Sequence, residues 1–112
     1  MQNKRRFERK PVPDNVLLID EHSGRRIGGL INLSINGLML LAEQEIAPGT
    51  ILQTRLALPD APAPLQLGIE ALWTQPSDLE GYHWMGCQIL SISELDLDYL
   101  QDYLDSLPAP GD

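Results

Sequence analysis

The stretch RIGGLINLSINGLMLL, residues 26–41, contains two short apolar runs on either side of a turn sequence. The runs Arg26–Asn32 and Gly37–Leu41 are rich in Leu and Ile, and short apolar runs bounded by turn residues are typical of β-strands. Asn36-Gly37, where the second run begins, is a dipeptide that tight hairpin turns favour. The stretch therefore predicts a β-hairpin, around which the other strands can be arranged.

Four further runs have the same character. They are separated by segments rich in Gly, Pro, Asn and Ser, which are turn formers. The runs are Val16–Asp20, Ile51–Leu58, Leu65–Thr74 and Tyr82–Leu90. No helical segment lies between them, which argues against parallel β-α-β units. The sequence predicts a mainly β fold of six strands, arranged as an antiparallel barrel or sandwich.

The C-terminal segment has the period of an amphipathic helix, with apolar residues at three- and four-residue steps. These residues are Ile92, Leu95, Tyr99, Leu100, Tyr103, Leu104 and Leu107. Ser91 and Glu94 form a capping-box pattern, with Leu90 and Leu95 as the accompanying hydrophobic staple. Because Pro108 cannot continue a helix, the pattern predicts one α-helix over about residues 92–107.

The chain of 112 residues is long enough for one domain and short for two. Pro11 and Pro13 follow a basic head, and proline favours an extended chain around it. We therefore expect a flexible N-terminal arm at residues 1–13, a barrel with its helix at residues 14–107, and a tail at residues 108–112.

Charge is distributed unevenly along the chain. The net charge is −8, which disfavours binding to nucleic-acid polymers because such binding requires many neutralised phosphates. Five of the eight basic residues lie in the first ten positions, whereas residues 56–112 hold ten acidic residues and no Lys or Arg. This asymmetry predicts local capture of a small anion.

Other features narrow the class of protein. No apolar run approaches the 18 or so residues of a membrane span, and no signal peptide follows the basic head, so membrane insertion is not expected. The single cysteine, Cys87, excludes an internal disulfide and fits a cytoplasmic setting. His83 and Cys87, four apart on a predicted strand, are too distant to share a metal or a catalytic proton. We expect neither a metal site nor an enzyme.

One candidate binding group is the arginine cluster Arg5, Arg6 and Arg9. Guanidinium groups pair with phosphate oxygens, bind the edge of guanine and stack on purines. A solvated basic tail is the alternative interpretation.

The second candidate group lies in the predicted hairpin. Asn32 and Ser34, two residues apart, are predicted to present polar side chains on one face. Gly37 is predicted to supply a backbone angle that other residues resist. The alternative is a simple turn in which Asn and Ser bond their own backbone.

Together, the two groups resemble the motifs of the PilZ domain family. Arg5-Arg6-Phe7-Glu8-Arg9 is similar to the motif RxxxR, and Asn32-x-Ser34-x-x-Gly37 is similar to the motif [DN]xSxxG. The resemblance extends over nearly the whole chain. It implies a six-stranded β-barrel that binds cyclic di-GMP without a further cofactor and has no catalytic activity.

The resemblance also implies a role for each residue of the motifs. Arg5 and Arg9 would contact phosphates and guanine faces, with Arg6 as an additional contact. Asn32 and Ser34 would meet guanine edges, and Gly37 would permit the turn that presents them. Asn32 stands where many family members have Asp, which removes one acceptor charge.

Trp73 offers a purine-stacking face, although a position in the core or at the barrel rim is the alternative.

The basic arm is expected to close over the ligand. An effector protein is expected to receive the signal in trans, in a process such as motility or biofilm formation. The alternative is an adaptor of the same fold that binds no nucleotide.

Overall fold

The computed structural model describes residues 8–13 and 15–108. These residues form seven strands and one helix: β1 Lys10–Pro11, β2 Leu17–Asp20, β3 Arg26–Leu33, β4 Gly37–Ala42, β5 Ile51–Leu56, β6 Leu65–Pro76, β7 His83–Ser91 and α1 Glu94–Ser106. Each of the six predicted strand runs corresponds to one of β2 to β7. The short strand β1 lies within the predicted arm.

The sheet closes on itself as a barrel. Its strands follow the order β3-β2-β5-β6-β7-β4, and β4 pairs back with β3. All pairings are antiparallel. This confirms the six-stranded antiparallel barrel with a C-terminal helix. Because the barrel is closed, each of these six strands pairs with a neighbour on both sides. Closed barrels of this kind lack the long free strand edges at which other chains could pair.

Leucine fills most of the barrel interior. Because successive side chains of a strand point to opposite faces, alternate residues of each strand enter the core. The largest fully buried apolar side chains are Leu18, Leu33, Leu38, Leu40, Leu56, Leu65, Leu67, Ile69, Met85 and Leu100. The helix contributes Leu100, and its Asp96 Oδ2 accepts a hydrogen bond of 3.0 Å from the Gln66 backbone N–H of β6.

The N-terminal segment joins the sheet at Lys10. Lys10 and Pro11 pair with Leu33 and Asn32 of β3. They lie on the side of β3 that faces β2, beyond the point at which the pairing between β2 and β3 ends. The Lys10 ammonium donates hydrogen bonds to the carbonyl oxygens of Leu104 and Leu107, at 2.8 and 3.2 Å. Helix α1 has no basic residue in its last turn. Lys10 therefore supplies the positive charge that a helix C-terminus favours.

The helix begins two residues later than the capping pattern predicts. Ser91 is the last residue of β7, and Ser93 is the N-cap, whose hydroxyl oxygen accepts from the Asp96 backbone N–H at 3.1 Å. The predicted staple is also wrong, because Leu90 and Leu95 are exposed. Around the true N-cap, Ile92 and Leu97 are the partly buried pair packed against the core, at the positions that a staple occupies.

Gly28 lies close to the backbone of β4. A Cβ atom at this position would overlap the carbonyl oxygen of Leu41 in β4. The neighbouring Gly29 is open, since its nearest atoms to such a Cβ are 4.0 Å away in Val16 and Leu17. Only the first of these two glycines is required by the packing of the barrel wall.

Cys87 lies on the inner face of β7. It is opposite Leu38 of β4 on one side and Ala71 of β6 on the other, and it is 1% exposed. Burial raises the pKa of its thiol to about 12.

The described part of the chain contains no helix long and apolar enough to cross a membrane.

Candidate functional site

The β3–β4 turn is organised by the hydroxyl of Ser34. This hydroxyl accepts a hydrogen bond from the Gly37 backbone N–H at 3.1 Å and donates to Asn36 Oδ1 at 2.8 Å. The Ser34 backbone N–H donates to the Gly37 carbonyl at 2.9 Å. Ser34 is fully buried, so it does not present its hydroxyl beside Asn32 as the spacing predicts. Its polar atoms hold the turn instead, as serine often does in turns.

Loss of the Ser34 hydroxyl is expected to weaken the turn. Ser34→Ala leaves the buried Gly37 N–H without its side-chain acceptor, which should lower the free energy of unfolding by about 1 to 2 kcal/mol. Urea unfolding followed by tryptophan fluorescence measures this change. The control is Ser23→Ala, which removes a hydroxyl from an exposed turn where water can replace it. Equal losses in the two variants would contradict the structural role of Ser34.

Gly37 is required by space, not by backbone angle. Its φ is outside the left-handed region, in which the described glycines are Gly24, Gly49 and Gly81, so the predicted special angle is wrong. A Cβ at Gly37 would lie 2.8 Å from the carbonyl oxygen of Cys87, closer than real Cβ contacts. The same Cβ would lie 3.9 Å from Nη2 of Arg9. The Arg9 guanidinium thus lies close to the backbone of Gly37, while the steric limit at this position is set by the Cys87 carbonyl.

Asn32 is half-buried on the outer face of β3. Its Nδ2 atom contacts Sδ of Met39 at 3.6 Å, across the β3–β4 pairing. Its Oδ1 atom is buried and has no hydrogen-bond partner within the described residues. A buried acceptor without a partner is energetically costly. A ligand donor could satisfy this acceptor if the Asn32 side chain turned outward.

Trp73 covers Gly86 on the outside of the barrel. The two residues are paired across β6 and β7, and a Cβ at Gly86 would overlap the indole ring. A bulge between Ala71 and Trp73 re-aims the end of β6, as bulges commonly do. Trp73 is 37% exposed, so it belongs to the barrel surface and not to the core. One part of its ring packs on Gly86 while another remains accessible.

These side chains share one region of the outer wall, which we call the two-row patch. One row follows the strand register through Asn32, Met39, Gly86 and Trp73, and the adjacent row through Gly37, Gln88 and Glu70. Arg9 lies over the glycine of one row, and Trp73 lies over the glycine of the other. The patch thus places the Arg9 cation over Gly37 and the Trp73 ring over Gly86 on the outer wall of the barrel.

The pair Gln88 and Glu70 is absent from the sequence prediction. Gln88 Nε2 donates a hydrogen bond of 2.8 Å to Glu70 Oε1 across β7 and β6. Strand alternation alone places each residue on an outer face, because Cys87, Ile69 and Ala71 point inward. Their position in the same row as Gly37 depends on the register between strands. No local signal in the sequence specifies that register.

The remaining predicted site residues can be placed only in part. Arg5 and Arg6 lie outside the described residues. Arg9 is exposed, and neither ion pair of the described chain involves it, since these join Arg26 to Glu43 and Arg55 to Glu21. Within residues 8–13 and 15–108, no three His, Cys, Asp or Glu side chains come together as metal ligands.

Comparison with known proteins supports the fold. No curated protein matches the chain. The structure of the Bacillus subtilis inhibitor of motility (MotI/DgrA) is similar, with a TM-score of 0.69 and 15% identity over 91% of this chain and 50% of that one. This chain therefore spans half of that protein's length. The PilZ domain with c-di-GMP of YcgR from Escherichia coli has a TM-score of 0.70 and 17% identity over 93% and 91% of the two chains. The PilZ domain family matches residues 3–106, and the chain belongs to this family.

Proposed function

We propose that the protein is a cyclic di-GMP receptor that binds its ligand on the two-row patch. PilZ domains are ligand-binding regulatory domains, and the similar domain of YcgR is described with c-di-GMP. The observation that carries the proposal is the convergence of Arg9 on Gly37, beside the unpartnered Oδ1 of Asn32. These residues come from both motifs, although more than 20 positions separate them in the sequence.

The chemistry of the patch suits a compact dianion with two purines. The Arg9 guanidinium, together with Arg5 and Arg6, pairs with phosphate oxygens through charge-assisted hydrogen bonds. Asn32 Oδ1 accepts from a guanine N–H, which satisfies the buried acceptor. The accessible part of Trp73 stacks on a base, a contact worth about 1 to 3 kcal/mol.

Ser34 and Gly37 act on the ligand through the turn. Ser34 holds the turn closed from within, and Gly37 allows β4 to approach the Cys87 carbonyl of β7 beside the arginine. In this proposal, Ser34 is a positioning residue. Its replacement by alanine weakens ligand binding less than the loss of Arg9.

Binding is converted into a signal by closure of the N-terminal segment over the ligand. The segment is anchored from Lys10 onward by β1, so closure concerns the residues before it. The cost of ordering such a segment lowers the net affinity. The closed segment changes the surface that an effector protein recognises in trans, and no covalent chemistry is involved.

Isothermal titration of the purified protein with cyclic di-GMP tests this function. We expect binding in the low micromolar range or tighter, no binding of GTP, and a stoichiometry that distinguishes one bound nucleotide from a stacked pair. Amide NMR signals of the residues before Lys10 should shift on saturation. Unchanged signals in this segment, at saturating ligand, would exclude the closure.

A negative titration would also be informative. Absence of heat, confirmed by an NMR titration that leaves Asn32 and Gly37 unperturbed, would reject the receptor function. It would favour a PilZ-fold adaptor that recognises protein partners without nucleotide.

A further inference from the structure

Glu70 is a half-buried carboxylate on the outer face of β6. Its Oε1 accepts the 2.8 Å hydrogen bond from Gln88 Nε2. Within the described residues Glu70 takes part in neither ion pair. A carboxylate has about four lone-pair positions and no donor, so most of its capacity to accept hydrogen bonds is free. Such a group, held in place on a binding surface, is suited to a ligand with N–H donors.

The position of Glu70 relates it to both ends of the proposed site. Gln88 separates it from Gly37 in the same register row. Two strand spacings, about 10 Å, therefore lie between the carboxylate and the glycine that Arg9 covers. Trp73 follows three residues later on the same strand and also faces outward. Their partners on β7, Gln88 and Gly86, are two residues apart, about 7 Å, so Glu70 is nearer to Trp73 than to the glycine that Arg9 covers.

Guanine differs from adenine in its Watson–Crick edge. Guanine presents the N1–H and the exocyclic 2-amino group side by side, both as donors, whereas adenine presents an acceptor at N1. Proteins that bind unpaired bases read this edge with side-chain hydrogen bonds while the ring stacks on an aromatic residue. A carboxylate accepts both guanine donors at once. With adenine, a buried carboxylate oxygen would face the N1 acceptor of the base, which is unfavourable because neither atom has a donor.

We propose that Glu70, oriented by Gln88, accepts hydrogen bonds from the Watson–Crick edge of a guanine stacked at Trp73 and so selects guanine over other purines. The inference rests on the proposed receptor function. Gln88 is a positioning residue because its hydrogen bond fixes Oε1 of the carboxylate. Gly37 on the far side of Gln88 adds no competing side chain.

The negative charge of Glu70 is compatible with a dianionic ligand. The phosphates are held at the arginine end of the patch, about 10 Å away. There the arginines neutralise them, and the separation exceeds the Debye length of about 8 Å at physiological ionic strength. The carboxylate therefore contributes to the choice of base with little repulsion of the phosphates.

The test compares two ligands in two variants. Cyclic di-IMP has hypoxanthine bases, which keep N1–H but lack the 2-amino group. We expect the wild-type protein to bind cyclic di-GMP about tenfold more tightly than cyclic di-IMP. In Glu70→Gln the amide oxygen remains paired with Gln88 and the amide NH₂ faces the base donors. Affinity for cyclic di-GMP should fall about tenfold, and the ratio between the two ligands should approach one.

The control variant is Glu45→Gln. Glu45 is exposed beside Ile46, away from the patch, so this substitution removes the same charge and should leave both affinities within about twofold. A wild-type ratio between the ligands in Glu70→Gln would overturn the role of Glu70 and leave the receptor function standing. Failure of the wild-type protein to bind either nucleotide would overturn both.

Discussion

Replacing Gly28 by alanine is expected to destabilise the protein by about 3 kcal/mol, because the added methyl group has no space. The Cβ would overlap the Leu41 carbonyl oxygen, which belongs to the backbone and cannot rotate away as a side chain can. The overlap is relieved only if β3 and β4 separate, and these strands close the barrel. Urea denaturation followed by circular dichroism measures the loss.

Gly29 provides the matched control, since it is the next residue of the same strand. A methyl group there meets no atom closer than 4.0 Å, and its φ is not in the left-handed region. Gly29→Ala should therefore be neutral or stabilise the protein by about 0.4 to 1 kcal/mol, through a less flexible unfolded chain. Similar destabilisation by both substitutions would show that close approach at Gly28 is not the cause.

Removing the Arg9 guanidinium is expected to have the largest effect on ligand binding. Arg9→Ala deletes a charge-assisted contact worth about 1.5 to 3 kcal/mol, so the affinity for cyclic di-GMP should fall by at least about tenfold. Stability should change little because Arg9 is exposed. Isothermal titration, with a thermal melt of the same sample, separates the two effects.

Arg26→Ala is the control for net charge. Arg26 is an exposed arginine whose Nε lies 3.3 Å from Glu43 Oε2, and it belongs to the other end of β3 from Asn32. Its removal changes the charge equally but should leave the affinity within about twofold, because distant surface charges are screened. Unaltered affinity in Arg9→Ala would remove this residue from the binding site.

Much of the fold could be predicted because its signals are local. The hairpin around Asn36-Gly37, the alternation that places Leu38 and Leu40 inside, and the period of α1 all act within a few residues. The family motifs likewise identified residues of one patch, since Arg9 and Asn32 lie on it together. The number and spacing of the strands predicted a barrel or a sandwich, and the resemblance to the PilZ family favoured the barrel.

Features that depend on distant pairing could not be predicted in the same way. The sequence pattern predicted Ser91 as the helix cap, whereas Ser93 caps α1 because β7 continues pairing with β6 as far as Ser91. The Lys10 contact with α1 joins residues more than 90 positions apart. The Gln88–Glu70 pair similarly requires knowledge of the β6–β7 register, which two bulges alter.

The buried thiol provides an intrinsic reporter of barrel opening. Cys87 is the single cysteine of the chain, and its carbonyl oxygen lies beneath Gly37 in the patch. With a pKa of about 12, the thiol is almost wholly protonated at neutral pH, and only the exposed thiolate reacts with a disulfide reagent. The rate of labelling therefore measures how often β4 or β7 separates from a neighbouring strand and exposes the thiol. A ligand that bridges these strands slows the reaction, so occupancy can be followed without attaching a dye or adding a residue.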